Sequence, residues 1–264
     1  MKKTIKRSLS IILAISIIFG SAAVGLGEIV FKGIDFNGIF AIKAKAASSG
    51  TCGDNLTWTF DDESTLTIIG TGDMYDYTLQ TCPWYGFSSS ISTVIINEGV
   101  TSIGTSAFNS CIMLNTITFP ESLISIGDYA LGYCYNLTTI TTPLSENITS
   151  IGDDAFIYCT SLTDINVSEN NSYYSSIDGV LFNKDKTHLI QYPAGKINTS
   201  YTIPDGVISV GNKAFYYSDV TSITIPDSVI SIGEESFRNC SKLTTVTIGD
   251  GTTDDNTYIA GTAN

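Results

Sequence analysis

The chain has 264 residues, 43% of them hydrophobic and only 15% charged, which supplies one elongated domain with a continuous core and excludes disorder over the bulk of it. The first 46 residues hold seven basic and two acidic side chains; the rest carries six bases against 24 acids, a formal charge of −18. Such a surface repels nucleic acid and anionic membranes and excludes both as partners.

In chain order, Lys2, Lys3, Lys6 and Arg7 precede an apolar run from Leu9 to Phe19 and then small residues. This is the order of a secretory signal, with cleavage expected after Ala46; an uncleaved membrane anchor is the alternative. Residues 1–46 are therefore read as a signal peptide and the product as secreted or held at the cell surface. Residues 47–92 are read as an N-terminal β-rich cap. Leu56–Phe60 and Thr65–Ile68 alternate apolar and polar residues around Asp61, Asp62, Glu63 and Ser64, which predicts a hairpin. Trp58, Trp84 and Tyr85 are the expected covers for the end of the core, and sugar binding by the same aromatics is the other reading.

Residues 93–264 are dominated by repetition. Copies align on an Ile-Gly or Val-Gly step at Gly104, Gly127, Gly152, Gly211 and Gly233, at intervals of 23, 25, 59 and 22 residues. A period of twenty-odd residues predicts a solenoid whose units bury apolar side chains only against their neighbours. Each copy opens with alternation, as in Thr116–Phe119, which predicts a strand with Ile117 and Phe119 inward. Proline follows at 120, 143, 204 and 226, where the missing N–H ends the ladder. A second inward pair is expected at Ile124 with Ile126 and at Ile230 with Ile232, then a tight glycine corner. The last arc, as in Ala155, Phe156, Cys159 and Leu162, fits a single helical turn sending apolar groups inward.

These copies resemble the BspA-like leucine-rich repeats of bacterial surface proteins, whose units read roughly I-x-I-P-x-x-V-x-x-I-G-x-x-A-F-x-x-C-x-x-L. The match covers about residues 93–248. The resemblance implies a β-rich solenoid, a leucine-rich repeat horseshoe with short strands and single helical turns, in a secreted or surface protein used in adhesion. The start of the cap, Cys52-Gly53-Asp54-Asn55-Leu56-Thr57-Trp58, resembles a segment that often precedes such repeats.

Between Gly152 and Gly211 the 59 residues exceed two standard units of 23 by 13. The irregular rung around 164–200 is expected to hold the surplus as a hairpin on its edge, formed by Gly179–Phe182 and Leu189–Tyr192. Lys184, Lys186, His188 and Tyr192 are the candidate recognition loop there, with an ordinary solvated turn as the plainer reading.

Cys111, Cys134, Cys159 and Cys240 each stand seven residues after a repeat glycine, and Ser218 fills the same slot. Buried free thiols are expected, whereas a Cys52–Cys82 disulfide is left open. The cysteine spacings and single histidine exclude the usual zinc sites, and no nucleophile elbow or phosphate loop is present. No catalytic, metal-binding or cofactor-binding residue is assigned, and no enzyme is expected.

The candidate binding face is the outward side of the strand ladder: Thr116, Thr118, Thr139, Thr141, Asp164, Asn166, Ser200, Thr202, Ser222, Thr224, Thr245 and Thr247. Its short polar groups suit an extracellular protein or glycan ligand. A structural or self-assembling surface module is the alternative. The stretch from Gly249 to Asn264 has no LPxTG-like sorting signal and no apolar tail, so release, or a chain continuing to an anchor, is expected. Val246 and Ile248 lack a convincing polar cap, so either further chain beyond them or end-to-end self-association is expected there.

Overall fold

A computed structural model of the protein describes residues 48–198 and 200–249. The expected signal peptide, the cleavage after Ala46 and the stretch beyond Gly249 lie outside the described residues.

Alternating β-branched residues in successive copies pair as parallel strands. Thr65–Gly70, Thr93–Ile96, Thr116–Thr118 and Thr139–Ile140 lie in one register, which stacks Leu66, Val94, Ile117 and Ile140 in a column. Ile117 and Phe119 are buried as expected, while Thr116 and Thr118 point to the other face. A second parallel ladder runs through Gly72–Asp73, Val100–Ile103, Ser125–Ile126 and Ser150–Ile151. Together with a third side of turns, these ladders make a β-solenoid.

The first parallel strand belongs to an antiparallel unit, Ser48–Gly53 with Leu56–Phe60 and Leu56–Phe60 with Thr65–Gly70. The Asp61 carboxylate accepts the Glu63 and Thr65 amides and closes the predicted hairpin. Trp84 stacks on Phe108 at 5.4 Å and donates its indole N–H to the Ala107 carbonyl at 2.8 Å. Trp58 meets Trp84 edge-on. Tyr85, expected as a third cover, is exposed at the start of a short 3-10 helix, Tyr85–Ser90.

Two features of the repeat differ from expectation. Ile124 and Ile230 face solvent, at 43% and 68% exposure, and Leu123 and Val229 are buried in their place. The reason is the turn at the proline, where the Leu123 amide donates to the Pro120 carbonyl and the Val229 amide to Pro226, shifting the inward phase by one residue. The repeat glycines, moreover, do not have left-handed backbone. They are small because rungs touch there: a methyl on Gly127 would stand 2.5 Å from the Thr105 nitrogen, and one on Gly152 2.4 Å from the Asp128 nitrogen.

The arc expected to be a helical turn is a run of β-turns. In the Gly104 rung the amides of Ala107, Asn109 and Cys111 donate to the carbonyls of Gly104, Ser106 and Phe108. Helical continuation is broken by left-handed residues at two fixed positions, two and six after the glycine: Ser106 and Ser110, Tyr129 and Tyr133, Asp154 and Tyr158, Lys213 and Tyr217, Glu235 and Asn239. The apolar groups of the arc do turn inward, with Ala155, Phe156, Cys159 and Leu162 all buried. The six cysteines are free thiols. Cys134, Cys159 and Cys240 each donate to the carbonyl of Phe108, Leu131 or Phe215 on the preceding rung, at 3.0–3.2 Å. Burial pushes the Cys159 thiol up to about 12 and Cys134 well above the ordinary thiol value.

The irregular rung departs furthest. Val180–Asn183 and His188–Gln191 form the expected antiparallel hairpin, with Tyr174–Ile177 added beside it. It is not an edge decoration. Val180 and Phe182 pack into the core of the later rungs and Leu181 into that of the earlier ones, so the core comprises two clusters rather than one. A strand buried on both faces accounts for the unbroken apolar run Val-Leu-Phe.

Candidate functional site

Backbone hydrogen bonds along the turns bind rung to rung. From the Gly104 rung, the amides of Ser106, Phe108 and Ser110 donate to the carbonyls of Asp128, Ala130 and Gly132. From the Gly127 rung, Tyr129, Leu131 and Tyr133 donate to Asp153, Ala155 and Ile157, and from the Gly211 rung, Lys213, Phe215 and Tyr217 donate to Glu234, Ser236 and Arg238. The Gly152 rung breaks the series: the equivalent amides of Asp154, Phe156 and Tyr158 have no acceptor among the described residues. The opposite wall matches this. Of the three receiving carbonyls in the Gly211 rung, Ala214 accepts the Tyr192 amide and the Gln191 side chain, while Asn212 and Tyr216 accept nothing among the described residues. Gly211 itself is less crowded than its counterparts, since the nearest atom to a methyl added there is the Leu189 oxygen at 3.1 Å.

The cause is the inserted hairpin. It continues the strand ladder from His188–Gln191 to Ser209–Val210 but supplies no arc of turns, so the third side of the solenoid opens. On the earlier edge the Ile151 amide is satisfied by the Tyr174 hydroxyl at 2.9 Å. The opening is a cleft of about 810 Å³, with Ile151 to Phe156 on one wall and His188, Ile190, Gln191 and Ser209 to Lys213 on the other. Asp128, Asp153, Asp154, Glu234 and Glu235 border it, against Lys213 as the single lysine or arginine. Lys213 Nζ is 2.6 Å from Asp154 Oδ2 across the opening, and this contact holds its ammonium above the usual lysine value. His188 shares a hydrogen bond with Ser209 Oγ through Nδ1 at 2.7 Å. Burial lowers its pKa below the ordinary histidine value, so it is neutral at pH 7.

Beside the cleft lies a cluster of tyrosines that the repeat builds from its left-handed positions. Tyr133 and Tyr158, on adjacent rungs, stack at 4.3 Å. Tyr217 reaches Tyr158 across the gap at 4.9 Å, and the hydroxyls of Tyr158 and Tyr216 are 3.0 Å apart. Tyr135 packs edge-on against both Tyr133 and Tyr158. Tyr135 and Tyr217 are about two-fifths exposed. The signal for this cluster was in the sequence: 110, 133, 158, 217 and 239 are one slot, one residue before the cysteine position, and tyrosine fills it three times.

The residues singled out from the sequence fall in three places. On the strand face, Thr116 and Thr139 share a register, as do Ser200, Ser222 and Thr245, and Thr202, Thr224 and Thr247. Thr139, Thr141, Asn166, Ser200, Thr202, Thr224, Thr245 and Thr247 are exposed; Thr116, Thr118, Asp164 and Ser222 are half-buried. Part of this hydrogen-bonding capacity is used internally, since the hydroxyls of Thr118 and Thr141 are 2.8 Å apart and Asp164 pairs with Lys196 at 3.3 Å. The recognition loop does not act together. Lys184 and Lys186 are exposed on the hairpin turn, with Lys184 Nζ donating to the Glu169 and Asn171 carbonyls. His188 lies in the cleft. Tyr192 is fully buried, stacked on Phe215 at 4.9 Å, with no hydrogen-bond partner for its hydroxyl among the described residues, and so is a core residue rather than a contact. Among the described residues no cluster of histidine, cysteine, aspartate or glutamate is arranged to hold a metal, and no helix is long and apolar enough to cross a membrane.

A solenoid of strand–corner–turn units bonded edge to edge, with Ala-Phe and a buried thiol at fixed places, defines a repeat protein of the leucine-rich class. The chain belongs to the family of the BspA type leucine rich repeat region, whose model matches six copies over residues 83–200 and 194–259. Among solved structures it is similar to the pneumococcal vaccine antigen PcpA, at 19% identity over 77% of this chain and 70% of that one, with a TM-score of 0.50. A leucine-rich repeat protein from Eubacterium ventriosum is 29% identical over 77% of this chain and 72% of that one, with a TM-score of 0.44. A leucine rich cell surface protein from Faecalibacterium prausnitzii is 20% identical over 76% of each chain, with a TM-score of 0.41. No curated protein matches the chain.

Proposed function

We propose that this is a secreted or cell-surface protein that binds an extracellular protein, without catalysis, through the face around the break between the Gly152 and Gly211 rungs. The observation that carries this reading is the tyrosine cluster of Tyr133, Tyr135, Tyr158 and Tyr217. Tyrosine combines a broad apolar ring with a polar tip and dominates protein interfaces for that reason. Other large apolar groups are exposed on the repeats, among them Ile112, Met113, Ile124, Ile208 and Ile230, but none of these carries tyrosine's polar tip. The basic-then-apolar N-terminus and the family supply the support for export.

The test is capture of extracellular-matrix and cell-surface proteins by the full secreted chain. Replacing Tyr135 and Tyr217 together by alanine should weaken saturable capture at least tenfold, whereas bulky residues at Thr118, Thr141 and Thr224 should leave it unchanged. The opposite pattern moves the site to the strand face. Capture abolished by soluble sugars, with no protein retained after deglycosylation, replaces this reading with glycan binding.

A further inference from the structure

The break in the turn ladder leaves a row of amide donors where, in the other rungs, an arc of β-turns supplies the acceptors. Asp154, Phe156 and Tyr158 offer three alternate amides, and in both neighbouring pairs of rungs such a trio is met by three alternate carbonyls of the next segment. Alternate carbonyls on one edge are what an extended polypeptide presents, so a ligand filling this row needs at least about five residues. The facing wall supplies the Asn212 carbonyl, which accepts nothing among the described residues, for a ligand's own amide. The cleft of about 810 Å³ is within the size range of ligand sites.

Charge selects among possible occupants. Of the five carboxylates that border the cleft, Asp154 is paired with Lys213 and Glu235 with Arg238, which leaves Asp128, Asp153 and Glu234 outside any ion pair among the described residues; with His188 neutral at pH 7, the field inside favours a cation. Tyr129 on the rim and the tyrosines beyond it add ring faces against which an ammonium or guanidinium is stabilised. The chain's own residues 250–264 carry three aspartates and no lysine or arginine, and a second copy brings the same negative surface; both are poor matches.

We propose that the cleft receives an extended segment of a partner protein bearing a lysine or arginine, which completes the interrupted ladder as a surrogate rung. This assignment rests on the reading of the chain as a protein-binding module and adds to it the class of ligand and its mode of docking. The Lys213–Asp154 pair and the Tyr158–Tyr216 contact cross the same opening. Both are contacts between side chains alone, so a ligand's own cation and backbone can replace them without unfolding either rung. The incoming cation takes a share of Asp153, Asp154 and Glu234 while the ligand backbone satisfies the amide row, a form of strand addition.

The experiment titrates the full secreted chain with two blocked seven-residue peptides, Thr-Val-Thr-Lys-Thr-Val-Thr and the same peptide with glutamate at the centre. Binding is read from NMR amide shifts and hydrogen exchange. The lysine peptide should bind saturably and slow exchange at Asp154, Phe156 and Tyr158 at least tenfold, and the glutamate peptide should bind at least tenfold more weakly. Asp153→Asn with Glu234→Gln, both at the border of the cleft, should remove that preference without changing the melting temperature. Equal binding of the two peptides, or binding that leaves the three amides unprotected, overturns the proposal. So does protection that grows with protein concentration, which assigns the cleft to a second copy, or protection lost on deleting residues 250–264, which assigns it to the tail. If both peptides fail while capture still depends on Tyr135 and Tyr217, the basic-segment proposal falls and the protein-binding reading stands; loss of the tyrosine dependence removes the latter.

Discussion

Removal of one oxygen from Tyr192 should stabilise the protein. The side chain is fully buried, stacked on Phe215 and edge-on to Tyr201, and its hydroxyl has no hydrogen-bond partner among the described residues. Burial alone pushes the phenol up to about 12. Leaving such a group unpartnered costs about 1–3 kcal/mol, and Tyr192→Phe recovers that while keeping both ring contacts. The atom removed forfeits a few contacts, so the net gain is about 1 kcal/mol. For a domain of this size that raises the melting temperature by about 2–4 °C. Thermal melting followed by circular dichroism, with urea denaturation as a check on reversibility, measures it. A fall in melting temperature instead would mean that the hydroxyl has a partner and that the wall between the two cores is built differently. Ligand capture should be unchanged, because Tyr192 is out of reach of any ligand.

Within the repeat, Ile117→Ala should cost about 2–5 kcal/mol, as expected for truncating a fully buried isoleucine, while Ile124→Ala should stay within about 0.5 kcal/mol. Comparable losses from the two in urea melts would restore Ile124 to the core. A thiol reagent at pH 8 should react slowly with the native chain, first at half-buried Cys240, and count six thiols in denaturant; fewer than six would reveal a disulfide. His188 has a folded pKa below its unfolded one, so the unfolded state binds the extra proton and its contribution to stability is lost as pH falls below about 6.5. Stability measured from pH 7.5 to 5 should therefore fall less steeply in His188→Asn than in the parent, and an unchanged slope would argue against the buried, neutral ring.

Repetition and alternation made most of the solenoid legible from residue order. Thr116–Phe119 reads as a strand because a period of two has one structural meaning, and the glycine spacing sets the rung. The phase after the strand was harder: Ile124-Ser125-Ile126 alternates as a strand does, but the turn at Pro120 sends Leu123 inward and Ile124 out. Glycine at 127 is required in either reading, for rung contact rather than for a left-handed corner, and composition cannot separate the two. The surplus of 13 residues located the irregular rung. Its consequence was hidden, because whether the amides of Asp154, Phe156 and Tyr158 are met depends on where the hairpin puts the next arc in space. Tyr192 reads as a recognition-loop residue at the end of the second hairpin strand, yet it is fully buried because that hairpin packs against the core of the later rungs. The tyrosine slot was readable by aligning the copies on position rather than on their apolar and cysteine residues.

The turn ladder is broken at the Gly152 rung, and native-state hydrogen exchange of the free protein tests this most directly. Slow exchange is expected for Phe108, Leu131 and Phe215, each bonded to the next rung, and exchange at least about 100-fold faster for Phe156, which occupies the same slot without a partner among the described residues. Equal protection of Phe156 and the other three would mean that the ladder is continuous and that no cleft of this kind exists.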